Sequence, residues 1–389
     1  GNSGRVFAAT GSAIRAVNIE QDRVFGVIDN EPGHLDGHKE QARFGVIEGL
    51  VYDPDNGYLY ISEVSKGTIR RFDLRRDTVN TIRRGLAQPI GLALSNDRNT
   101  LYVIEHGKAR VLSLSLLRGE DSVLVGSGSR GFADGGGENA QIDVSVGLTV
   151  GPDGTVFLAD RGNGRVRAID PATREIRTLS QDFEAPSDVA VRDSNTLLVL
   201  DRGANLIKRL DLTSLEASVL PASEGELHLP VAMSIDLDGT LYVADSGNNQ
   251  IKAFSAGPLE RTHSAFITGE QALAGDTQQG SYAIRDLVGT GEPGVVSGRA
   301  DLANLFDPDQ VLIAGENILF NSSRQFTLLR TDLNTGESTA LFPDFAGGTL
   351  VDATAYGVGV SRWGHIDGMA YWAEENRLFV FAGRNTLFN

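Results

Sequence analysis

One phrase is written three times near the middle of the chain: Val156-Phe157-Leu158-Ala159-Asp160-Arg161-Gly162-Asn163, Leu197-Leu198-Val199-Leu200-Asp201-Arg202-Gly203-Ala204 and Leu241-Tyr242-Val243-Ala244-Asp245-Ser246-Gly247-Asn248. Asp160, Asp201 and Asp245 stand 41 and 44 residues apart. That period fits a four-stranded propeller blade and is too long for ankyrin or leucine-rich repeats. A sustained repeat overrides the usual prior that 389 residues make two or three domains, so the whole chain, 1–389, reads as a single domain.

The clearest unit runs from Gly147 to Leu179. Gly147 to Val150 makes an inner strand, Pro152-Asp153-Gly154 a turn, and Thr155 to Ala159 a second strand with apolar residues at period two. Arg165 to Asp170 and Ile176 to Leu179 supply the third and fourth. The same order recurs from Gly49, Gly91, Asp188, Ala232, Gln310 and Gly368. The expected fold is therefore all-β, a propeller of four-stranded antiparallel blades, seven favoured and six the alternative. The first segments, Arg5 to Ala9, Ala13 to Val17 and Arg23 to Val27, have no inner strand before them, and the last blade stops early. A ring closed by one blade shared between the two ends follows, which would pair otherwise exposed edges. Long insertions are expected at about 257–307 and 343–365, on a rim where binding loops collect.

Composition sets outer limits on function. A formal charge of −16 and a pI near 4.8 oppose nucleic acid and anionic membranes. No apolar run approaches the roughly 20 residues of a membrane span. Zero cysteines exclude disulfides, thiolate metal sites and cysteine nucleophiles, and suit an extracytoplasmic (periplasmic, cell-surface or secreted) protein with its signal segment removed.

The inner-strand approach Pro186-Ser187-Asp188-Val189-Ala190-Val191, the turn Pro152-Asp153-Gly154, the run Leu241 to Lys252 and the linker Gly126 to Gly135 leading to Ala140-Gln141-Ile142 together resemble the NHL repeat. Weaker linker copies lie at Gly33 to Phe44 and Gly289 to Phe306. The resemblance implies a propeller and leaves activity open. NHL propellers include protein-binding and RNA-binding modules, binders of peptides or sugar chains, and a few lyases and hydrolases.

The acids closing the second strands (Asp160, Asp201 and Asp245, with Glu63 and Glu105 in matching places) are expected to be structural, accepting hydrogen bonds from the turn behind them. More informative is the position two before the aligned apolar residue of each inner strand. It reads Glu48, Ile90, Val146, Ser187, Val231, Asp309 and Asp367. The acids would lie on neighbouring blades at the channel mouth, enlarged by His365 and Asp307. Such a patch suits a divalent cation, calcium or zinc, a cationic ligand, or general acid-base work.

Lyases of the NHL type hold a metal with several histidines. This chain has six, of which His106 and His365, with His34 or His38, form a conceivable zinc set. His34 and His38 are four apart but flanked by glycines, which points to a loop. Asp236-Leu237-Asp238-Gly239 starts like a calcium loop and lacks the acid at its twelfth position. Arg70-Arg71, Arg75-Arg76 and Arg83-Arg84 are expected as a solvated blade edge. Two readings follow: a module binding a protein, peptide or glycan through its rim and channel, or a metal-assisted lyase or hydrolase using His365, Asp367, Asp309 and Glu48.

Overall fold

In a computed structural model, the described residues are 5–10, 13–18, 23–28, 33–53, 55–235, 241–256, 271–272, 282–288, 298–299, 308–314, 318–323, 328–332, 337–342, 365–372 and 377–383. The protein is an all-β propeller of four-stranded antiparallel blades, and its described helices are single 3-10 turns. The chain divides into two compact units, one centred on residues 27–218 and one on 219–389 with most of the first 26 residues.

The first unit shows the blade grammar most fully. Its blades begin at strands Ile47–Asp53, Pro89–Leu94, Leu148–Val150 and Pro186–Asp193, and each chain then runs outward through three more antiparallel strands. Both faces of the second strand in the 89–125 blade are buried, because that blade is sandwiched between its two neighbours in this unit. Along Thr100–Glu105, Leu101 and Val103 pack with Tyr60 of the preceding blade, whereas Tyr102 and Ile104 pack with Val156 and Leu158 of the following one. Period-two alternation here assigns neighbours rather than separating core from solvent. Inner strands approach very closely: a Cβ on Gly49 would stand 1.9 Å from the Ile90 carbonyl oxygen.

Five-stranded sheets depart from the expected four. The linker copies at 33–44 and 131–142 fold as hairpins, bridged at Leu35 to Arg43 and at Ala133 to Gln141. Their Gly37–His38 and Gly135–Gly136 segments pair with the fourth strand of the blade that follows, covering its edge. The 89–125 and 186–219 blades have short linkers before them and only four strands.

In the second unit, the expected insertion at 257–307 contributes to blades. Tyr282–Val288 is the fourth strand beside Gln250–Ala256, and Gly298–Arg299 pairs with Glu337–Phe342. The terminal strands share a sheet in which His365–Trp372 and Arg377–Gly383 are followed by Arg5–Thr10, Ala13–Asn18 and Arg23–Ile28. Its junction is parallel, with Phe7 opposite Phe379 and Ala8 opposite Val380, so the N-terminal strand does not duplicate a second strand in an antiparallel meander.

Candidate functional site

The recurring acids are all consumed by structure. Glu63, Glu105, Asp160, Asp201 and Asp245 are fully buried. Each accepts a backbone N–H from the linker entering its own blade: Gly45 to Glu63 at 2.6 Å, Ala87 to Glu105 at 2.7 Å, Asp143 to Asp160 at 2.8 Å, Glu184 to Asp201 at 3.1 Å and His228 to Asp245 at 2.7 Å. The two glutamates reach 18 residues back and the three aspartates 17, so one extra methylene is matched by one extra residue. The turn behind also donates, through Asn163 to Asp160 at 2.9 Å and Asn248 to Asp245 at 2.8 Å, which explains the Gly-Asn of the repeated phrase.

A cation stands opposite most of these acids. Arg70 pairs with Glu63 at 2.9 Å, Arg167 with Asp160 at 2.7 Å, Lys208 with Asp201 at 2.8 Å, and Arg110 with Glu105. Arg70 is completely buried, which overturns its expected place on a solvated edge; Arg75, Arg76 and Arg84 are exposed as that reading required. Burial pushes Asp245 up to about 6, and the His228 N–H, Asn248 and the charge of Lys252 pull it back only in part.

These clamps position the variable inner row. Each N–H held by an acid lies three residues before that row's residue: Gly45 before Glu48, Ala87 before Ile90, Asp143 before Val146, Glu184 before Ser187, His228 before Val231. In several blades the row residue is then the extra residue of a β-bulge. Ile47 faces Glu63 and Gly49 faces Ser62, leaving Glu48 unmatched. Ser187 is skipped between Pro186 and Asp188, and Asp309 between Pro308 and Gln310. Register also shifts between His365 and Gly368, around Asp367. A bulge re-aims the side chain it carries. The sequence alignment found this row; the bulge was invisible in it, because an extra residue shows only against its partner strand.

Strands Pro308–Ala314 and His365–Trp372 are neighbours in the second unit, which brings Asp309, His365 and Asp367 onto adjacent inner strands. Ser323 and Gly383 stand there at the register positions where other blades have the clamping acid. Glu48 is a partly buried residue of the other unit. Asp307, the Asp236 to Gly239 turn and the segment 343–364 lie outside the described residues.

The remaining histidines occupy different settings. His34 Nδ1 is 3.1 Å from Glu63, and His38 is an exposed residue 3.9 Å from Glu40. His106 opens the turn after Glu105 and accepts from Arg130 at 3.3 Å. Among the described residues no three His, Asp or Glu side chains gather as a metal-ligand set.

Repeat and blade topology together define the class, a β-propeller whose repeats are similar to those of NHL-repeat proteins. Residues 62–201 match the family described as SMP-30/Gluconolactonase/LRE-like region. The chain is 24% identical over 331 residues to Protein SUPPRESSOR OF QUENCHING 1, chloroplastic, of Arabidopsis thaliana, covering 80% of this chain and 27% of that protein. It is 28% identical over 197 residues to NHL repeat-containing protein 2 of Bos taurus, covering 42% of this chain and 27% of that protein. The chain thus spans about a quarter of the length of these relatives. Virginiamycin B lyase from Staphylococcus aureus has a similar fold, with a TM-score of 0.57 at 13% identity over 86% of this chain and 93% of that one.

Proposed function

We propose that this chain is an extracytoplasmic binding module that takes a protein, peptide or glycan ligand on the bulged residues of its inner strands. The observation carrying this reading is the clamp: in five blades a buried acid fixes the chain three residues ahead of a position whose identity changes from blade to blade. A scaffold held constant under a variable row is what recognition requires. The extracytoplasmic placing rests on the cysteine-free composition. A ring closed as one domain by the shared terminal sheet belongs to the same proposal, supported by the pairing of Phe7 with Phe379.

Surface plasmon resonance against immobilised peptide and glycan libraries tests it. Ligands should be found, and Glu48→Ala and Asp309→Ala should each weaken them roughly tenfold without lowering Tm. Unchanged binding in both variants overturns the reading.

A second reading, a metal-assisted lyase or hydrolase, draws on Asp309, His365 and Asp367 occupying adjacent inner strands. It requires stoichiometric zinc, calcium or iron in elemental analysis, lost in Asp309→Asn and His365→Ala. Metal that survives both substitutions sinks it.

A further inference from the structure

The 89–125 blade loses its filling at one point on the face it turns toward the 148–180 blade. Cross-strand register sets one residue from each successive strand in a row across a blade face. The row reads Tyr60, Arg71, Asn80 in the 47–83 blade and Phe157, Ala168, Arg177 in the 148–180 blade. Leu198 and Arg209 continue the series in the 186–219 blade. Each of those rows contains an arginine. In the 89–125 blade the row is Tyr102, Ser113, Ser122, and a cleft of about 380 Å³ opens over it. Pro171 and Arg174 of the next blade close its far side.

The walls of this cleft are hydroxylated and balanced in charge. Thr100 and Ser115 form the next cross-strand pair outward, adding two more hydroxyls to those of the row. Ser113 and Ser122 lie 3.0 Å apart, and Arg174 donates to Ser122 at 3.2 Å. Arg118, Arg174, Glu120 and Asp121 all line the cleft, and Asp121 is held by Arg83 at 2.7 Å. Tyr102 is only 5% exposed and lines the cleft together with Thr100. Burial, then the nearby charge of Asp97, raises the Tyr102 pKa, so its phenol stays a donor.

We propose that this interblade cleft binds a neutral saccharide, of one or two sugar units. The cleft's mixed donors and acceptors match a polyol, its balanced charges favour no net ligand charge, and the hydroxyl rows oppose an apolar ligand. The volume falls within the roughly 300–1,000 Å³ of small-molecule sites. This inference deepens the binding-module reading only in naming a ligand class, and its location is separate from the bulged inner row.

Calorimetric titration of the whole chain with maltose, cellobiose, lactose and inorganic phosphate tests it. One of the disaccharides should bind. Ser113→Arg restores the arginine that Arg71 and Arg209 supply elsewhere, so the blade should fold and affinity should fall at least roughly tenfold. Tyr102→Phe, which removes one hydroxyl, should weaken binding about three- to tenfold. Ser122→Arg, copying Arg177, repeats the test if Ser113→Arg does not fold. No disaccharide binding, affinity unchanged in both arginine variants, or phosphate binding in place of sugar overturns the proposal. Disaccharide binding lost in Glu48→Ala and kept in Ser113→Arg would place the ligand on the inner strands, sparing the binding-module reading and refuting the cleft.

Discussion

Blades with a linker hairpin and blades without one solve the same electrostatic problem differently. In the 47–83 and 148–180 blades the third-strand cation is an arginine with no exposed surface, shared between two acids. Arg167 bonds Asp160 and Asp134, both at 2.7 Å, and donates to the Gln141 and Ala133 carbonyls at the hairpin mouth. Arg70 repeats this with Glu63 and Asp36, and with the Arg43 and Leu35 carbonyls. In the four-stranded blades, Arg110 and Lys208 pair with one acid and keep 23% and 14% of their side-chain surface in water. A guanidinium can be buried here because the hairpin brings the acceptors that satisfy its planar fork.

Removing the two kinds of cation should separate the blades most sharply. Arg167→Met strands Asp160 and orphans the hairpin carbonyls, and should cost about 3–5 kcal/mol. Lys208→Met leaves Asp201 with the Glu184 and Ala185 N–H groups and removes a cation that is itself part-exposed, and should cost about 1–2 kcal/mol. Denaturant unfolding of both variants measures the ratio. Equal losses would mean that the hairpin contributes nothing to holding the charge.

Asp245 sharpens the comparison through pH. Its folded pKa of about 6 lies above the 3.8 of an ordinary aspartate, so the folded state holds the proton more tightly. Its contribution to stability is therefore complete below pH 3.8 and is lost as pH rises toward 6, amounting to about 2–3 kcal/mol. Stability curves of the wild type and Asp245→Asn between pH 4 and 6 read this directly. The wild type should lose ground to the variant as pH rises across that window, and parallel curves would refute the assignment.

The offset between acid and linker gives a smaller effect. Glu63→Asp shortens the side chain by one methylene while the linker register stays that of a glutamate, so the Gly45 N–H should lose its partner, at about 1–2 kcal/mol. Asp160→Glu has the opposite problem of excess length in a filled site. Thermal melts of both should show losses; an unaffected Glu63→Asp would mean that the backbone adjusts freely.

Much of this was legible in the chain. Period-two apolar residues and recurrent turns specify the blades, and comparing copies isolates the inner row. A basic residue seven after the closing acid, at Arg70, Arg167, Lys208 and Lys252, was also available as a signal. It went unread because Arg70 sits among other arginines and resembled part of a solvated edge. The bulges and the fifth strands were not legible, since both are defined by a partner distant in sequence. Ser113 and Ser122 looked unremarkable for the same reason: they matter only beside the arginines of equivalent rows.

The hairpin's own acid should matter least, and for a physical reason. Asp36 is 36% exposed, so water screens its pairing with Arg70. Burial raises its pKa, but hydrogen bonds from Thr81 and the charge of Arg70 outweigh this and leave it below 3.8. A lowered folded pKa means that its contribution is present above pH 3.8 and is lost as pH falls through the folded value. Asp36→Asn should accordingly cost less than about 1 kcal/mol at neutral pH, with the variant and wild type converging in acid. If Asp36→Asn proved as damaging as Arg167→Met, the hairpin acid rather than the buried clamp would be the member that holds the guanidinium in place.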